Sequence, residues 1–418
     1  MAGMSFELFI ASRLRLARGD RNSSASLTVA LVGVVLAIVI MILSVVIVMG
    51  FKNEITDKIY HLDSHVRVSS SMVGRESDFD MVNGDEIIPV LLADKGLTPQ
   101  LASVSLIADK PAILKTDDDF MGIVYRGVDK NYDWSFIKRH LVDGRVPRSD
   151  TAAIAEIVMS RLTASRLGVK TGDKILTYFI DNRVKMRRSR VVGIFNTDFS
   201  EHDKGILMGN IAQIQSVNNW EPNQGNYVGV NLTDVGNLST ATSRVYTDLA
   251  QAAITGEGEL YNVTEVENNN SQFFTWLQML DMNVLIILVL MFIVSGFTLI
   301  AALLMIVLER IGMVGLLKTL GAAGGSVRRI FIFLTYKLIF KAIVIGNVLG
   351  LGLALIQQHF HVLKLDPNAY YMPYVPISID PVSIIILNVA IVVVSFVTLL
   401  LPSFIISSIK PSATMRFE

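Results

Sequence analysis

Apolar residues in this chain fall into two regimes. Four runs are almost wholly apolar over the roughly 20 residues a bilayer core requires: residues 27–50, 281–308, 330–356 and 382–406. Between the first two lies a long stretch in which apolar residues alternate with polar ones or recur at helical spacing. The runs predict membrane-spanning helices, and the stretch between them predicts a domain folded in water.

Taken in order, residues 1–26 predict a segment lying along the membrane, since Phe6–Ala17 is amphipathic. The first run is too long for a cleaved leader, and Gly50-Phe51-Lys52 is not a cleavage site. Residues 51–280 predict the soluble domain with a stalk helix at each end. Phe51–Leu62 keeps helical periodicity, and residues 264–280 place Phe273, Phe274 and Trp276 near the water–lipid boundary. Strand-like pieces are His65–Ser69, Val104–Ile107, Ile123–Val128, Ile175–Ile180, Arg190–Phe195 and Tyr227–Leu232. Helical pieces are Asp85–Asp94, Ile157–Leu167 and Val235–Ala253. Strands mixed with helices predict an α+β layer, and Asp181-Asn182 predicts the turn of a hairpin over residues 175–195.

Residues 309–329, between the second and third runs, read differently. Glu309-Arg310 precedes apolar residues at Ile311, Val314, Leu317 and Leu320, one stripe on a helix of about three turns. Gly321, Gly324 and Gly325 predict its end, and Arg328-Arg329 leads into the third run. Such a helix suits docking against a protein or lying on lipid, and the pattern alone leaves both open. Gly346 and Gly350, four apart in the third run, predict close packing between spans. Lys337 and Lys341 lie one turn apart in that same run; a polar seam, snorkelling, or pairing with Glu309 would each account for them.

Charge sets the orientation. Lys and Arg cluster in 1–26, 309–329 and the tail 407–418, whereas 357–381 has one strong base, Lys364. The positive-inside rule puts both termini and residues 309–329 in the cytoplasm, and 51–280 and 357–381 outside. The expected fold is an α-helical membrane protein with four transmembrane helices plus a large extracytoplasmic α+β domain inserted between the first two.

Composition removes several chemistries. The 37 basic and 37 acidic side chains balance, which argues against a nucleic-acid partner. Without cysteine there are no disulfides and no thiol chemistry. No Gly-x-x-x-x-Gly-Lys-Ser/Thr cradle and no His-Glu-x-x-His occurs, and His359 with His361 reads as a surface pair. Asp117-Asp118-Asp119 reads as a solvated turn. Lys185, Arg187, Arg188 and Arg190 make one hairpin strand basic, either a wet face or a contact for head groups or an acidic partner. No catalytic constellation and no metal site are expected.

The string Glu309-Arg310-Ile311-Gly312, then Leu317-Lys318-Thr319-Leu320-Gly321-Ala322, resembles the coupling-helix region of FtsX-like permeases. Glu7-Leu8-Phe9-Ile10-Ala11-Ser12-Arg13 and Val48-Met49-Gly50-Phe51 resemble lipoprotein-releasing permeases of the LolC/LolE type. Gly144-Arg145-Val146-Pro147, Ala164–Asp173 and Val192-Gly193-Ile194-Phe195 are similar to the periplasmic core of that group, and Leu401-Pro402-Ser403 with Lys410-Pro411-Ser412-Ala413 to its closing motif. One departure is plain: Ile180–Val184 leaves little room for the loop with which LolC-type members hook a soluble carrier.

The resemblance implies a bacterial inner-membrane permease, non-catalytic itself, driven by two copies of a LolD-type ATPase that binds ATP and Mg. Coupling would run through Glu309, Arg310, Ile311, Gly312, Leu316, Leu317, Lys318, Leu320, Gly321 and Ala322. The implied cargo is triacylated lipoprotein, extracted from the outer leaflet and passed to a LolA-type carrier. Candidate contacts for it are Val46, Met49 and Phe51 on the first stalk and Phe273, Phe274, Leu277, Met279 and Met282 on the second, with packing of the stalks on each other as the alternative. Four spans are few to enclose such cargo, so pairing is expected, as a homodimer or a LolC/LolE-type heterodimer. Competing readings are an FtsX-like mechanotransmitter acting on a cell-wall hydrolase, and a MacB-like permease for another substrate.

Overall fold

The computed structural model of the chain describes residues 21–71, 81–116, 119–150, 154–180, 183–256 and 258–408. The amphipathic Phe6–Ala17 segment, Asp117-Asp118, the Asp181-Asn182 turn and the tail bases Lys410 and Arg416 lie outside the described residues. The chain opens with α1 (Arg21–Leu62) and passes into β1 (Val66–Ser70), β2 (Val82–Asn83), α2 (Gly84–Ala93), β3 (Leu101–Lys115), β4 (Phe120–Val128), β5 (Leu141–Gly144) and β6 (Glu156–Ser160). There follow α3 (Arg161–Leu167), β7 (Lys174–Phe179), β8 (Lys185–Phe195), β9 (Ile206–Asn210), α4 (Ile211–Asn218), β10 (Gln224–Gly225), β11 (Tyr227–Leu232), α5 (Leu238–Thr255) and β12 (Tyr261–Glu265). It closes with α6 (Ser271–Glu309), α7 (Ile311–Thr319), α8 (Gly324–Phe360) and α9 (Pro381–Ser408). Two compact units result, one of residues up to 53, 276–364 and 374 onward, the other of 54–275 and 365–373.

Among the described residues, four helices, Thr28–Leu62, Ser271–Glu309, Gly324–Phe360 and Pro381–Leu399, contain windows long and apolar enough to cross a membrane. The protein is a membrane protein with an α/β domain. The helices share one core cluster, with Ile38, Ile42, Leu303, Ile306, Phe331, Ile339 and Ala342 all buried. Gly346 and Gly350 bring α8 onto α1: a β-carbon would lie 2.7 Å from Ile38 Cγ2 at Gly346 and 3.1 Å from Ile42 Cδ1 at Gly350. Asn347 and Asn388 exchange amide hydrogen bonds of 2.7 and 3.0 Å between α8 and α9, so neither polar group is left unpaired in the apolar surroundings.

The second unit is built on a ten-stranded sheet, ordered β12-β1-β11-β3-β4-β9-β6-β8-β5, with β7 pairing β3 and β8. Most neighbours are antiparallel; β4–β9 and β6–β8 are parallel. The helix α4 lies close on the sheet because Gly127 has no side chain: a β-carbon there would lie 2.8 Å from Ile211 Cα.

The sequence expectations need four corrections. Ile157–Leu167 is not one helix: Ile157–Ser160 belongs to β6, every residue of which is buried, and α3 starts only where the Ser160 hydroxyl accepts from Thr163 N at 3.1 Å. Residues 264–280 are not one helix either, since β12 continues to Glu265 and the long helix starts at Ser271. Gly324 and Gly325 open α8 instead of closing the preceding helix; Gly321 alone, at φ +90°, holds the left-handed stop. The third helix therefore starts before Ile330. Strands β2, β5, β6, β9, β10 and β12 lie outside the expected strand pieces.

Candidate functional site

The segment between α6 and α8 is built from its anchor outward. Glu309 is the last residue of α6 and Arg310 caps α7, whose first turn closes with Val314 N donating to the Arg310 carbonyl at 3.0 Å. Val314 is fully buried in the cluster that includes Val307, Val327 and Phe331, and Leu317 packs partly against it with Ala322. The expected stripe of Ile311, Val314, Leu317 and Leu320 is therefore divided. Val314 and Leu317 hold the helix to the bundle, whereas Ile311 (37%) and Leu320 (77%) stand in the open. Gly312 and Leu316 share that open side, and no atom lies within 4 Å of where a Gly312 β-carbon would be. Lys318 is half-buried near the end of α7, and Gly321 turns the chain out of the helix. The site is a short helix clamped on one side and bare on the other, spaced at Gly312, Leu316 and Leu320 as one helical face.

The candidate cargo contacts fall in two groups. In the first unit, Val46 and Leu277 are buried at 1% and 2%. Met49 and Phe51 are half-buried, and Met279 and Met282 exposed. Phe51 and Trp276 meet edge to face at 5.7 Å. Around them sits a collar no local pattern announces: Lys52 Nζ pairs with Asp281 at 2.7 Å, Asn53 donates to Ser378 Oγ at 3.0 Å, and Ser378 N donates to the Val46 carbonyl. Gly50 makes this possible, since a β-carbon would lie 2.6 Å from the Pro376 carbonyl oxygen. In the second unit, Phe273 and Phe274 are half-buried, Phe274 beside Tyr60. Phe199 stands between Phe273 and Tyr371, with centroids at 5.3 and 5.2 Å. Lys58, only 5% exposed, donates to the Tyr371 carbonyl at 2.8 Å. Residues 365–373, part of the expected outer loop 357–381, belong to the second unit.

On the hairpin, Phe179 pairs with Lys185, so residues 180–184 form its connection. Ile180, Val184 and Met186 are exposed there, as is Phe120. Arg188 and Arg190 point to solvent, and Lys185 donates to the Val217 carbonyl. His361 lies against Tyr374 and His359 against Phe360. Among the described residues, no three His, Asp or Glu gather as a metal cluster.

Comparison with known proteins agrees with this anatomy. The family described as MacB-like periplasmic core domain matches residues 27–247, more than half the chain, and the FtsX-like permease C-terminal family matches 285–411. The chain is 22% identical over 433 residues to the lipoprotein-releasing system transmembrane protein LolC of Xylella fastidiosa, covering 98% of this chain and 99% of that one. LolC of Neisseria meningitidis is 20% identical, with 99% and 100% covered. LolE of Haemophilus influenzae is 21% identical, with 92% of each covered. The chain belongs to the permease family that joins a MacB-like periplasmic core to an FtsX-like permease domain, and within it to the LolC/LolE type.

Proposed function

We propose that the chain is the permease subunit of an ATP-driven transporter that takes lipoproteins from the outer leaflet of the inner membrane and hands them to a periplasmic carrier. The observation that carries this reading is the end-to-end likeness to LolC. It is supported by a coupling segment whose bare face, Gly312, Leu316 and Leu320, is free to receive another protein. In this reading both termini and α7 are cytoplasmic, and the α/β domain lies in the periplasm between the first two spans.

The work is mechanical. Two copies of a LolD-type ATPase, holding ATP and Mg, serve the pair of permease subunits, one of them docking on α7 of this chain. Val314 passes the push into the bundle, and the spans carry it as a rigid-body shift to the domain. The chain supplies no catalytic group. A second permease subunit completes the cargo path, and Met49, Phe51, Met279 and Met282 offer flexible apolar surface to acyl chains. The five residues 180–184 between the paired strands leave little room for a hook, so a LolA-type carrier is engaged elsewhere or by the other subunit.

The test is affinity isolation from the native membrane in detergent, with mass spectrometry of everything bound. An ATPase together with lipoproteins is expected. A cell-wall hydrolase with no lipoprotein overturns the reading in favour of FtsX-like mechanotransmission.

A further inference from the structure

A cleft of about 540 Å³ opens in the second unit at the carboxyl ends of β4 and β9. These strands run parallel, with Val128 opposite Asn210. The volume is that of a small-molecule site, and the carboxyl ends of parallel strands are where α/β sheets leave room for a ligand. None of the lining residues belongs to the coupling segment or to the candidate cargo contacts.

Charge balances in the lining, with Asp85 and Asp129 against Lys130 and Arg148. Glu156 accepts from the Arg148 backbone N at 3.1 Å and from one Nη at 3.3 Å, which holds the guanidinium there with other N–H groups still to give. Asp129 accepts from Asn131 N and Nδ2 at 3.0 and 3.3 Å, and each of its oxygens keeps a lone pair. Both helices that start at the cleft are already capped, Asn83 Oδ1 accepting from Asp85 N and Asn210 Oδ1 from Ala212 N. Nothing there selects a net charge. The carbonyl of Asn223 accepts from Gly84 N at 2.7 Å, while its side-chain Oδ1 is buried with no hydrogen-bond partner among the described residues. Such an acceptor calls for a donor. Trp134 supplies half-buried apolar surface, braced edge-on by Tyr132 at 5.1 Å.

A neutral ligand that both donates and accepts matches this mixture. Every sugar hydroxyl does both, and the C–H face of a pyranose ring suits the negative face of an indole. We propose that the cleft binds a neutral saccharide: Asn223 and Asp129 accept from its hydroxyls, Asn210 Nδ2 and Arg148 donate to them, and Trp134 meets the ring. A peptide strand would present its N–H and C=O groups in line, whereas here the polar groups come from separate segments around one hollow, which suits a compact ring. The inference goes beyond the transport reading and does not depend on it.

The test uses the full chain in phosphatidylcholine nanodiscs, whose head groups carry no sugar. Triacetylchitotriose and maltotriose are titrated separately and followed by saturation-transfer NMR, with glucuronic acid and acetyl-trialanine amide as the anionic and peptide comparators. Saturable binding of at least one neutral saccharide is expected, weakened at least about tenfold by Asn223→Leu and by Trp134→Ala. Asn223→Leu should do so with a thermal midpoint at or above the parent's, because it removes an unpaired buried acceptor; a merely structural Asn223 would lower the midpoint instead. Failure of both saccharides to bind, or equal binding by the two variants, overturns the proposal. Tighter binding of the acid or the peptide overturns the ligand class.

Discussion

Arg126 grips Asp109 with two parallel bonds, Nε to Oδ1 and Nη2 to Oδ2, each 3.0 Å. The two residues stand directly opposite each other in the β3–β4 register, so the sheet itself sets the pair. The remaining guanidinium nitrogen donates to the Leu62 carbonyl at 3.0 Å. Leu62 ends α1, where carbonyls lack helical partners. A buried cation thus fastens the end of the first long helix to the sheet.

Replacing Arg126 by Met should cost about 3–5 kcal/mol, because it strands a carboxylate that is mostly out of water. The double variant Arg126→Met/Asp109→Asn should recover much of that loss. Thermal unfolding of the detergent-solubilised chain reads both. A single variant as stable as the parent would mean that the ion pair contributes nothing to holding the helix end.

His65 makes the fold sensitive to acid. Its Nδ1 accepts from Leu232 N at 2.9 Å, a bond only the neutral ring can make. Burial, reinforced by nearby His61, pushes its pKa down to about 4. The unfolded ring titrates near 6.5, so stability is full above that pH and falls as pH drops towards 4, by up to about 3 kcal/mol. Denaturant midpoints taken between pH 7 and 4 should show this slope, and His65→Gln should flatten it. An unchanged slope in the variant would assign the effect to other groups.

Two glycines separate side-chain from backbone packing. Gly346→Ala presses on Ile38 at 2.7 Å and should destabilise by about 1–3 kcal/mol, with Ile38→Ala restoring part of it. Gly50→Ala meets the Pro376 carbonyl at 2.6 Å, which no side-chain change relieves. Thermal midpoints of the two singles and the Gly346→Ala/Ile38→Ala double decide the matter; absence of rescue would mean that α8 and α1 do not pack at Gly346.

The spans were legible because length and apolarity are read without knowing any partner. Strand Glu156–Ser160 was not, because burial on both faces removes alternation and leaves a run that extends smoothly into a helix. Gly324 and Gly325 were not legible for a similar reason: glycine tolerates a stop but does not impose one, and of the three glycines at 321, 324 and 325 Gly321 alone takes positive φ. Pairs such as Arg126–Asp109, Lys52–Asp281 and Lys58–Tyr371 depend on which strands and helices meet, which no local pattern carries. Residues 311–320 were found as a helix, yet the side it buries came from Val314 meeting the bundle, not from the stripe.

That division makes the docking site testable by contrast. Gly312→Glu and Leu316→Glu add charge to the bare face of α7, where no atom lies within 4 Å of a Gly312 β-carbon and Leu316 is 61% exposed. Both should leave insertion and the thermal midpoint unchanged while lowering ATPase recovery at least about tenfold, roughly 1.4 kcal/mol of docking energy. Val314→Ala removes two buried methyl groups from the clamped side and should lower stability by about 2 kcal/mol. The ATPase should still bind that variant, since its free face is intact, but its hydrolysis should couple poorly to release. Full ATPase recovery with Gly312→Glu and Leu316→Glu would show that α7 does not dock through this face.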